Sequence, residues 1–519
     1  MGSPLIQLFV PSFSTTHPTL VLADLREIED VVTRRVGEVD RADTMHTWFG
    51  LVAPRATIGL KSEDKAFKEQ RRLWNVVLSP QFLEGVAAER FREVAVKLAD
   101  MWERKSRIAS QELAFRGQDD IRIATLDGIW KMNVGSQLGL LDARTERLDQ
   151  PNPIKKSGNG KVDFSNAVLP EFYSILGTLL MCLDWVMQGI SPRMYTLFFT
   201  TTGILQRGTK KKDDVLTHCI AASRERVKRN HVREHIAATC SLDEVMRKDW
   251  LLNSKASEAN GNGASGDAAL TDELLELLIT GHETTASSIA WALKYLTDHP
   301  EVQSQLRVSL YAAFQTSTPP SAKEIYATSI PYLDAVIAES LRLSLTGPVS
   351  FRQTLERCDI LGHSIPAGTP IVLVTAGPSY DSPDMPIAPE YVRSKTSQAS
   401  YLRKHATHSN LKATPLIANL QAFNPSRWIR EDGTFDQDSI HMLPFSAGPR
   451  GCFGKKIALL EMKMMLAVLI MRFEFPRLRK GLSGYGAVDG LTRRPTCFYV
   501  QPREVGMRGK DGGVAMEGV

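Results

Sequence analysis

Cysteine is scarce in this chain. Six residues in 519, Cys182, Cys219, Cys240, Cys358, Cys452 and Cys497, show no CxxC or CxxH spacing. That pattern speaks against a disulfide framework or a structural zinc site and fits a reducing compartment. Long apolar runs are lacking too. None reaches the roughly 18 residues a membrane span needs, and the best stretch, Leu176 to Ile190, is interrupted by Asp184. Met1 to Val10 has no basic region and too little apolar length for a signal peptide. Charge of one sign is missing as well: 63 Lys+Arg against 58 Asp+Glu leave +5, too little to argue for a nucleic-acid partner. There is no internal repeat. What remains is ordinary globular usage, 43% hydrophobic and 23% charged, in a length that suits about three domains or one large helical fold.

The periodicity is mostly helical. His17 to Leu22 reads as a turn and short strand, after which Asp24 caps a helix carrying Leu25, Ile28, Val31 and Val32. Helical spacing runs from Asp64 to Ser106 with a break at Ser79-Pro80, and again through the aromatic-rich stretch Phe164 to Leu205. The small, polar, Gly-rich segment from Asn253 to Ala269 reads as a flexible loop. Thr271 then caps a long helix ended by His299-Pro300. Further helices cover Glu301 to Phe314 and Tyr332 to Leu345. Ile360 to Thr375 reads as a hairpin, and Cys452 opens a last helix reaching Met471. The fold class expected is mainly α with small β-sheets. Residues 1–17 form a poorly defined leader, 18–500 one catalytic domain with an insertion over 377–421, and 501–519 a flexible tail.

The sharpest pattern is Phe445-Ser-Ala-Gly-Pro-Arg-Gly-Cys-Phe-Gly454, or FxxGxRxCxG. Five fixed residues arise by chance about once in several thousand chains of this length. Backbone amides can approach the Cys452 sulfur closely where the flanking residues lack Cβ. The helix that follows favours an anion at its start. That environment suits a thiolate, which as an axial ligand pushes electron density onto a haem iron. The plainer alternative is a Gly-rich turn with an ordinary buried cysteine.

The motif resembles that of the cytochrome P450 family of haem-thiolate monooxygenases, and other segments can be matched in order. Gly281-His-Glu-Thr-Thr285 resembles the family's oxygen-helix motif, with Thr280 in place of the usual small residue. The resemblance implies that Thr284 handles oxygen and that Glu283 joins a proton relay. Glu339-Ser-Leu-Arg342 matches ExxR, as do Glu69–Arg72, Glu89–Arg92 and Glu244–Arg247, but only Glu339 lies between the other two motifs. Together with Arg427 in Phe423-Asn-Pro-Ser-Arg-Trp428 it would brace the core. Arg71, Arg352 and Arg450 would meet the haem propionates, although Phe67 stands where the family has tryptophan. For Arg71 and Arg352 surface ion pairing is the bland alternative. Phe445, Gly448 and Gly454 would shape the cysteine loop. Lys455 and Lys456 would face an acidic electron donor.

The resemblance covers Pro18 to Val500. It implies haem b (iron protoporphyrin IX) with Cys452 as thiolate ligand, and electrons from NADPH through a partner reductase, with cytochrome b5 as a further donor. It also implies O2 and a lipophilic small molecule as substrates, and the cytosolic face of the endoplasmic reticulum. The pocket would be lined by Met45 to Lys61, Phe164 to Leu205, Leu277, Ala286 and Leu345 to Phe351. The segment 377–421 resembles insertions of filamentous-fungal members of secondary metabolism. The family's membrane anchor, first helix and first strand are not found ahead of His17, which predicts an unpaired sheet edge. Two readings stay open beside oxygen insertion: a haem-binding but catalytically impaired member, and a non-redox dehydratase or isomerase.

Overall fold

The computed structural model describes residues 3–10, 17–188, 191–231, 239–257, 266–316, 319–378, 380–383, 385, 392–407 and 419–505. Helices dominate, as their periodicity predicts, and the sheets are small and peripheral. The largest sheet has five strands in the order Leu5–Leu8, Thr19–Leu22, Pro370–Val374, Val349–Thr354, Val39–Arg41. Thr19–Leu22 pairs parallel with Pro370–Val374, and the other neighbours are antiparallel. The expected bare edge is therefore covered: Leu5 to Leu8 lies against Leu22 to Thr19. Within the amino-terminal segment 1–17 the alternation of Leu5-Ile-Gln-Leu8 lets those four residues add a strand; residues 1–2 and 11–16 lie outside the described part.

Two other segments differ from expectation. The Gly-rich stretch is shorter as a loop than its composition implied, because one helix runs Ser241–Ser257 and the next begins at Asp267; residues 258–265 lie outside the described part. Thr271 does not cap that long helix. It sits inside it, donating to the Asp267 carbonyl at 2.8 Å. The insertion holds a helix of its own, Lys395–Thr407. Arg393, ahead of it, binds both oxygens of Asp24 at 2.8 and 3.0 Å, and Ser394 and Thr396 donate to Asp30 at 2.6 and 2.9 Å. Of the expected tail 501–519, Arg503–Glu504 pairs with Phe473–Glu474; residues 506–519 lie outside the described part.

Elsewhere the local chemistry works as read. Asp24 accepts from the Glu27 amide at 2.6 Å, a side-chain cap on the helix Leu25–Thr33. Ser79-Pro80 separates the helix Lys65–Trp74 from one continuing to Ile108. The turn at Leu361 and Gly362, both left-handed, does occur, but it joins Cys358–Ile360 to His363–Ile365 rather than making one hairpin of Ile360 to Thr375, and Pro370–Val374 pairs instead in the five-stranded sheet.

At the centre, the long helix Asp267–Asp298 packs on Gln118–Val134, and Lys455–Arg472 packs on Ala88–Ile108. These helices supply one continuous apolar core. The segment Gln118–Val134 is buried on nearly every face, so it lacks the one-sided stripe that marks a helix in sequence. Among the described residues no helix is long and apolar enough to cross a membrane.

Candidate active site

The long helix and the cysteine loop face each other across a cavity of about 380 Å3. Thr280, Gly281, Thr284, Thr285 and Ser288 line one side; Phe445, Arg450, Cys452 and Gly454 line the other. Cys452 is exposed and lines this cavity. Its helix begins three residues later, at Lys455, so the cysteine sits on the loop rather than opening the helix. The amides of Gly454 and Lys455 point at the sulfur, and with the Arg71 charge they favour the thiolate, while burial pushes the thiol up and prevails. Gly448 has φ +68°, and a Cβ there would lie 1.8 Å from the Val32 carbonyl oxygen. Glycine is obligatory at that position. At Gly454 a Cβ would sit 4.0 Å from the sulfur, an ordinary contact.

On the helix side the hydroxyls bond backwards along one face. Thr280 donates to the Glu276 carbonyl at 2.7 Å, Thr284 to Thr280 at 2.7 Å and Ser288 to Thr284 at 3.0 Å. The oxygen of Thr284 thereby keeps lone pairs toward the cavity. Glu283, next in sequence, is on the other side of the helix. It borders a separate space of about 320 Å3 with Arg122, His282, Asp184 and Arg494. There it is ion-paired with Arg122, and the His282 Nε2 lies 3.4 Å away. Burial alone would raise its pKa, but His282 and Arg122 overcome this and hold the carboxyl down at about 2. No spacing in the sequence joined Arg122 to Glu283; their association is a product of helix packing.

Arg71, Arg352 and Arg450 all reach the cavity, so none of the three is a surface ion-pairing residue. Arg71 donates to the carbonyls of Pro449 and Gly451 at 3.3 and 3.1 Å, and its guanidinium lies 4.8 Å from the Phe453 ring centroid. Phe67, in place of tryptophan, lies under Arg450 at 4.2 Å. Arg450 is 8% exposed, and its Nε and Nη1 have no partner. Burial and neighbouring arginines push Arg450 down to about 9 and Arg352 to about 10. Arg352 donates to the Phe351 carbonyl at 3.0 Å and Arg450 Nη2 to the Thr57 carbonyl at 3.1 Å, and the two Arg450 nitrogens left without acceptors fit a carboxylate of a porphyrin.

Glu339 is the most heavily used carboxylate. It accepts from Arg342 at 2.8 and 2.7 Å, Arg427 at 3.1 Å, the Asn424 amide at 2.9 Å and the Trp428 indole at 2.9 Å. Arg342 also reaches the carbonyls of Tyr380 and Leu420. The rival spacing Glu244–Arg247 is an exposed pair. Among the expected pocket segments, Thr57, Ile58, Leu277, Gly347, Val349 and Ser350 line the cavity. Ala286 does not; it belongs to the core. Met45, Trp48, Phe49, Leu183, Val186 and Phe199 form their own apolar cluster with Phe351, where Trp48 meets Phe351 edge-on at 4.9 Å. Lys455 and Lys456 are exposed, but the groove beside Lys455 also carries Glu29, Asp334 and Asp438. That face is mixed rather than uniformly basic.

A cysteine before a helix start, opposed across an arginine-rimmed cavity by a hydroxyl-bearing helix in a helix-dominated fold, describes a haem-thiolate oxidoreductase. The chain belongs to the cytochrome P450 family, whose model matches residues 9–383 and 419–482. It is 30% identical over 515 residues to the cytochrome P450 monooxygenase GME11363 of Pestalotiopsis microspora, covering 96% of this chain and 86% of that protein. It is 27% identical to the cytochrome P450 monooxygenase TRI13 of Fusarium sporotrichioides, covering 97% and 88%. The crystal structure of the cytochrome P450DA heme domain superposes with a TM-score of 0.68 at 18% identity, over 97% of this chain and 90% of that one; this likeness bears on fold. The protein is thus a monooxygenase of this family, and haem with a thiolate ligand is its cofactor class.

Proposed function

We propose that this chain inserts one oxygen atom of O2 into a lipophilic small molecule of fungal secondary metabolism, with Cys452 as the haem ligand. The observation that carries the reading is the Cys452 sulfur, which faces a cavity rimmed by guanidiniums and receives two first-turn amides. When bound, the haem supplies the oxidising chemistry of R–H + O2 + two electrons + two protons giving R–OH and water. The protein's residues bind, orient and deliver. Arg71, Arg352 and Arg450 would hold the propionates, while Phe445 and Gly448 keep the cysteine loop in shape and Gly454 turns its amide to the sulfur. Thr284 presents its hydroxyl oxygen to the cavity and passes protons there. Glu283, ionised between Arg122 and His282 on the far side of that helix, orders the relay as a hydrogen-bond acceptor and stores no proton itself. Glu339, Arg342 and Arg427 brace the loop from behind. The cavity lining is largely apolar around Ile129, Leu277 and Val349, which supports a lipophilic substrate. Electrons come from NADPH through a partner reductase, with cytochrome b5 as a second donor. Family resemblance supports the cytosolic face of the endoplasmic reticulum, a location checked by fractionating the tagged protein.

One experiment tests ligand and chemistry together. The reduced, carbon monoxide-treated protein should give the strongly red-shifted Soret band of a thiolate-ligated haem. Cys452→Ala should abolish that band. Thr284→Ala should keep it but, with a reductase and NADPH, divert oxygen consumption away from product. A shifted band surviving in Cys452→Ala would assign the iron to another residue.

A further inference from the structure

We propose that the cavity wall formed by Ser288 and Thr346 recognises a hydroxyl group on the substrate, so that lipophilic alcohols and phenols are preferred to the corresponding ethers and ketones. The inference rests on the monooxygenase reading above and deepens it, by naming the polar group its substrate carries. Thr280, Thr284 and Ser288 recur at intervals of four residues, so they share one face of the long helix, and all three border the cavity. Thr346 reaches the same wall from another direction. The helix Pro331–Ser344 ends at Leu345, whose left-handed backbone (φ 48°) turns the chain. The Arg493 amide then donates to the Thr346 carbonyl at 3.1 Å. Thr346 Oγ1 comes to lie 2.9 Å from Ser288 Oγ and 3.1 Å from Ser344 Oγ.

A hydroxyl brings one proton to donate and two lone pairs to accept with. Ser288 also reaches the Thr284 carbonyl at 3.0 Å, and Ser344 the Leu341 carbonyl at 3.4 Å. Whichever way this run of hydroxyls points, every proton ends on a protein oxygen. It passes from Ser344 to Thr346 to Ser288 to the Thr284 carbonyl, or from Ser288 to Thr346 to Ser344 to the Leu341 carbonyl. Thr280 and Thr284 spend their protons on the carbonyls one turn back. Lone pairs are what this wall has left. A ligand ketone or ether oxygen set against it meets oxygen with no proton between, or takes a proton out of an internal bond. A ligand hydroxyl adds a bond and breaks none. Asn133 is in the same condition. It borders the cavity at 1% exposure, its NH2 is used on the Ile129 carbonyl at 2.9 Å, and its Oδ1 has no partner. Thr285 and Ser350 border the cavity outside this run, so the preference belongs to one wall of it.

The test measures equilibrium binding to the haem-loaded full chain, by Soret perturbation and independently by isothermal titration calorimetry. The probes are matched sets: menthol with menthyl methyl ether and menthone, thymol with thymyl methyl ether, and dodecanol with dodecyl methyl ether. The alcohol or phenol should bind about three- to tenfold tighter than its partners, the worth of one hydrogen bond. In the double variant Ser288→Ala/Thr346→Val that ratio should fall to within about twofold of unity, while the ethers bind as before. Thr346→Ser keeps the hydroxyl and should keep the preference. Should the double variant fail to load haem, Ser288→Ala and Thr346→Val singly should each lower the ratio. A contact that only joins the two segments would weaken alcohol and ether together, and that result overturns the proposal. So does a preference that survives in the double variant, which would place its origin elsewhere in the cavity. Alcohols that bind no tighter than ethers in any set, absence of binding included, overturn it as well. A wild type that takes up no hemin would instead sink the haem reading itself.

Discussion

Replacing Glu339 with glutamine keeps its shape and removes its charge, which isolates the contribution of one buried carboxylate. In the wild type its two oxygens accept five donors, among them two fully or nearly fully buried guanidiniums. In Glu339→Gln one oxygen becomes an NH2 group that must face Arg342 and Trp428 or Arg427 and Asn424, donor against donor. Arg342 and Arg427 also lose their shared counter-charge. Breaking a buried pair on one side costs about 3–5 kcal/mol, and two dependent cations put the expectation at the upper end. The effect should also reach the cysteine loop. Arg342 donates to the Tyr380 carbonyl, and the Tyr380 hydroxyl accepts the Leu443 amide at 2.5 Å, two residues before Phe445. Urea unfolding followed by far-UV circular dichroism measures the loss, with Glu244→Gln as control. The partner Arg247 of that control is 59% exposed, so the control should lose at most about 1 kcal/mol. A Glu339→Gln loss no larger than the control's would refute the hub.

Gly448→Ala should cost at least about 2 kcal/mol, since its methyl would overlap the Val32 carbonyl; Gly454→Ala, with its ordinary contact, should be tolerated. Equal melting temperatures for the two variants would contradict the geometry. Glu283 has a folded pKa of about 2 against an ordinary 4.5. A depressed carboxyl contributes stability that is complete above the unfolded pKa and vanishes as pH falls through the folded one. Between pH 5 and 2 the wild type should therefore lose about 3 kcal/mol relative to Glu283→Gln. Parallel pH–stability curves would show that the Arg122 and His282 contacts do not hold that carboxyl down.

What the chain disclosed in advance follows from how local the interactions are. The cysteine loop was legible because its pattern is contiguous in sequence, although Gly448 answers to the Val32 carbonyl and Arg450 to Thr57 and Phe67, far away along the chain. Asp24 and Ser79-Pro80 were legible for the same reason. Glu339 could be picked from four ExxR matches only by its order between motifs, since spacing alone says nothing of burial. The helix Gln118–Val134 was missed because it is apolar on all sides, and the strand Leu5–Leu8 because four residues offer too short an alternation to stand out. The loop expected over 253–269 shrank because Gly-rich composition lowers helix propensity without forbidding the flanking turns. Arg122 was invisible for a different reason: it acquires its meaning from a partner more than a hundred residues away, Glu283.

The two charged clusters on either side of Cys452 illustrate how a buried charge can be read. Behind the loop, every guanidinium nitrogen of Arg342 ends on an oxygen, and Glu339 is used on both oxygens. Such a cluster is complete within the protein, so its removal should register in stability first and in haem retention only as a consequence. In front of the loop, Arg450 has two nitrogens without any acceptor, although desolvating a cation is costly. Selection for folding alone has no use for that arrangement. The completeness of the first cluster and the incompleteness of the second therefore separate framework from binding site on physical grounds, independently of any motif. They also predict different signatures: Glu339→Gln should destabilise loaded and haem-free protein alike, whereas Arg450→Gln should destabilise the loaded form more than the haem-free one.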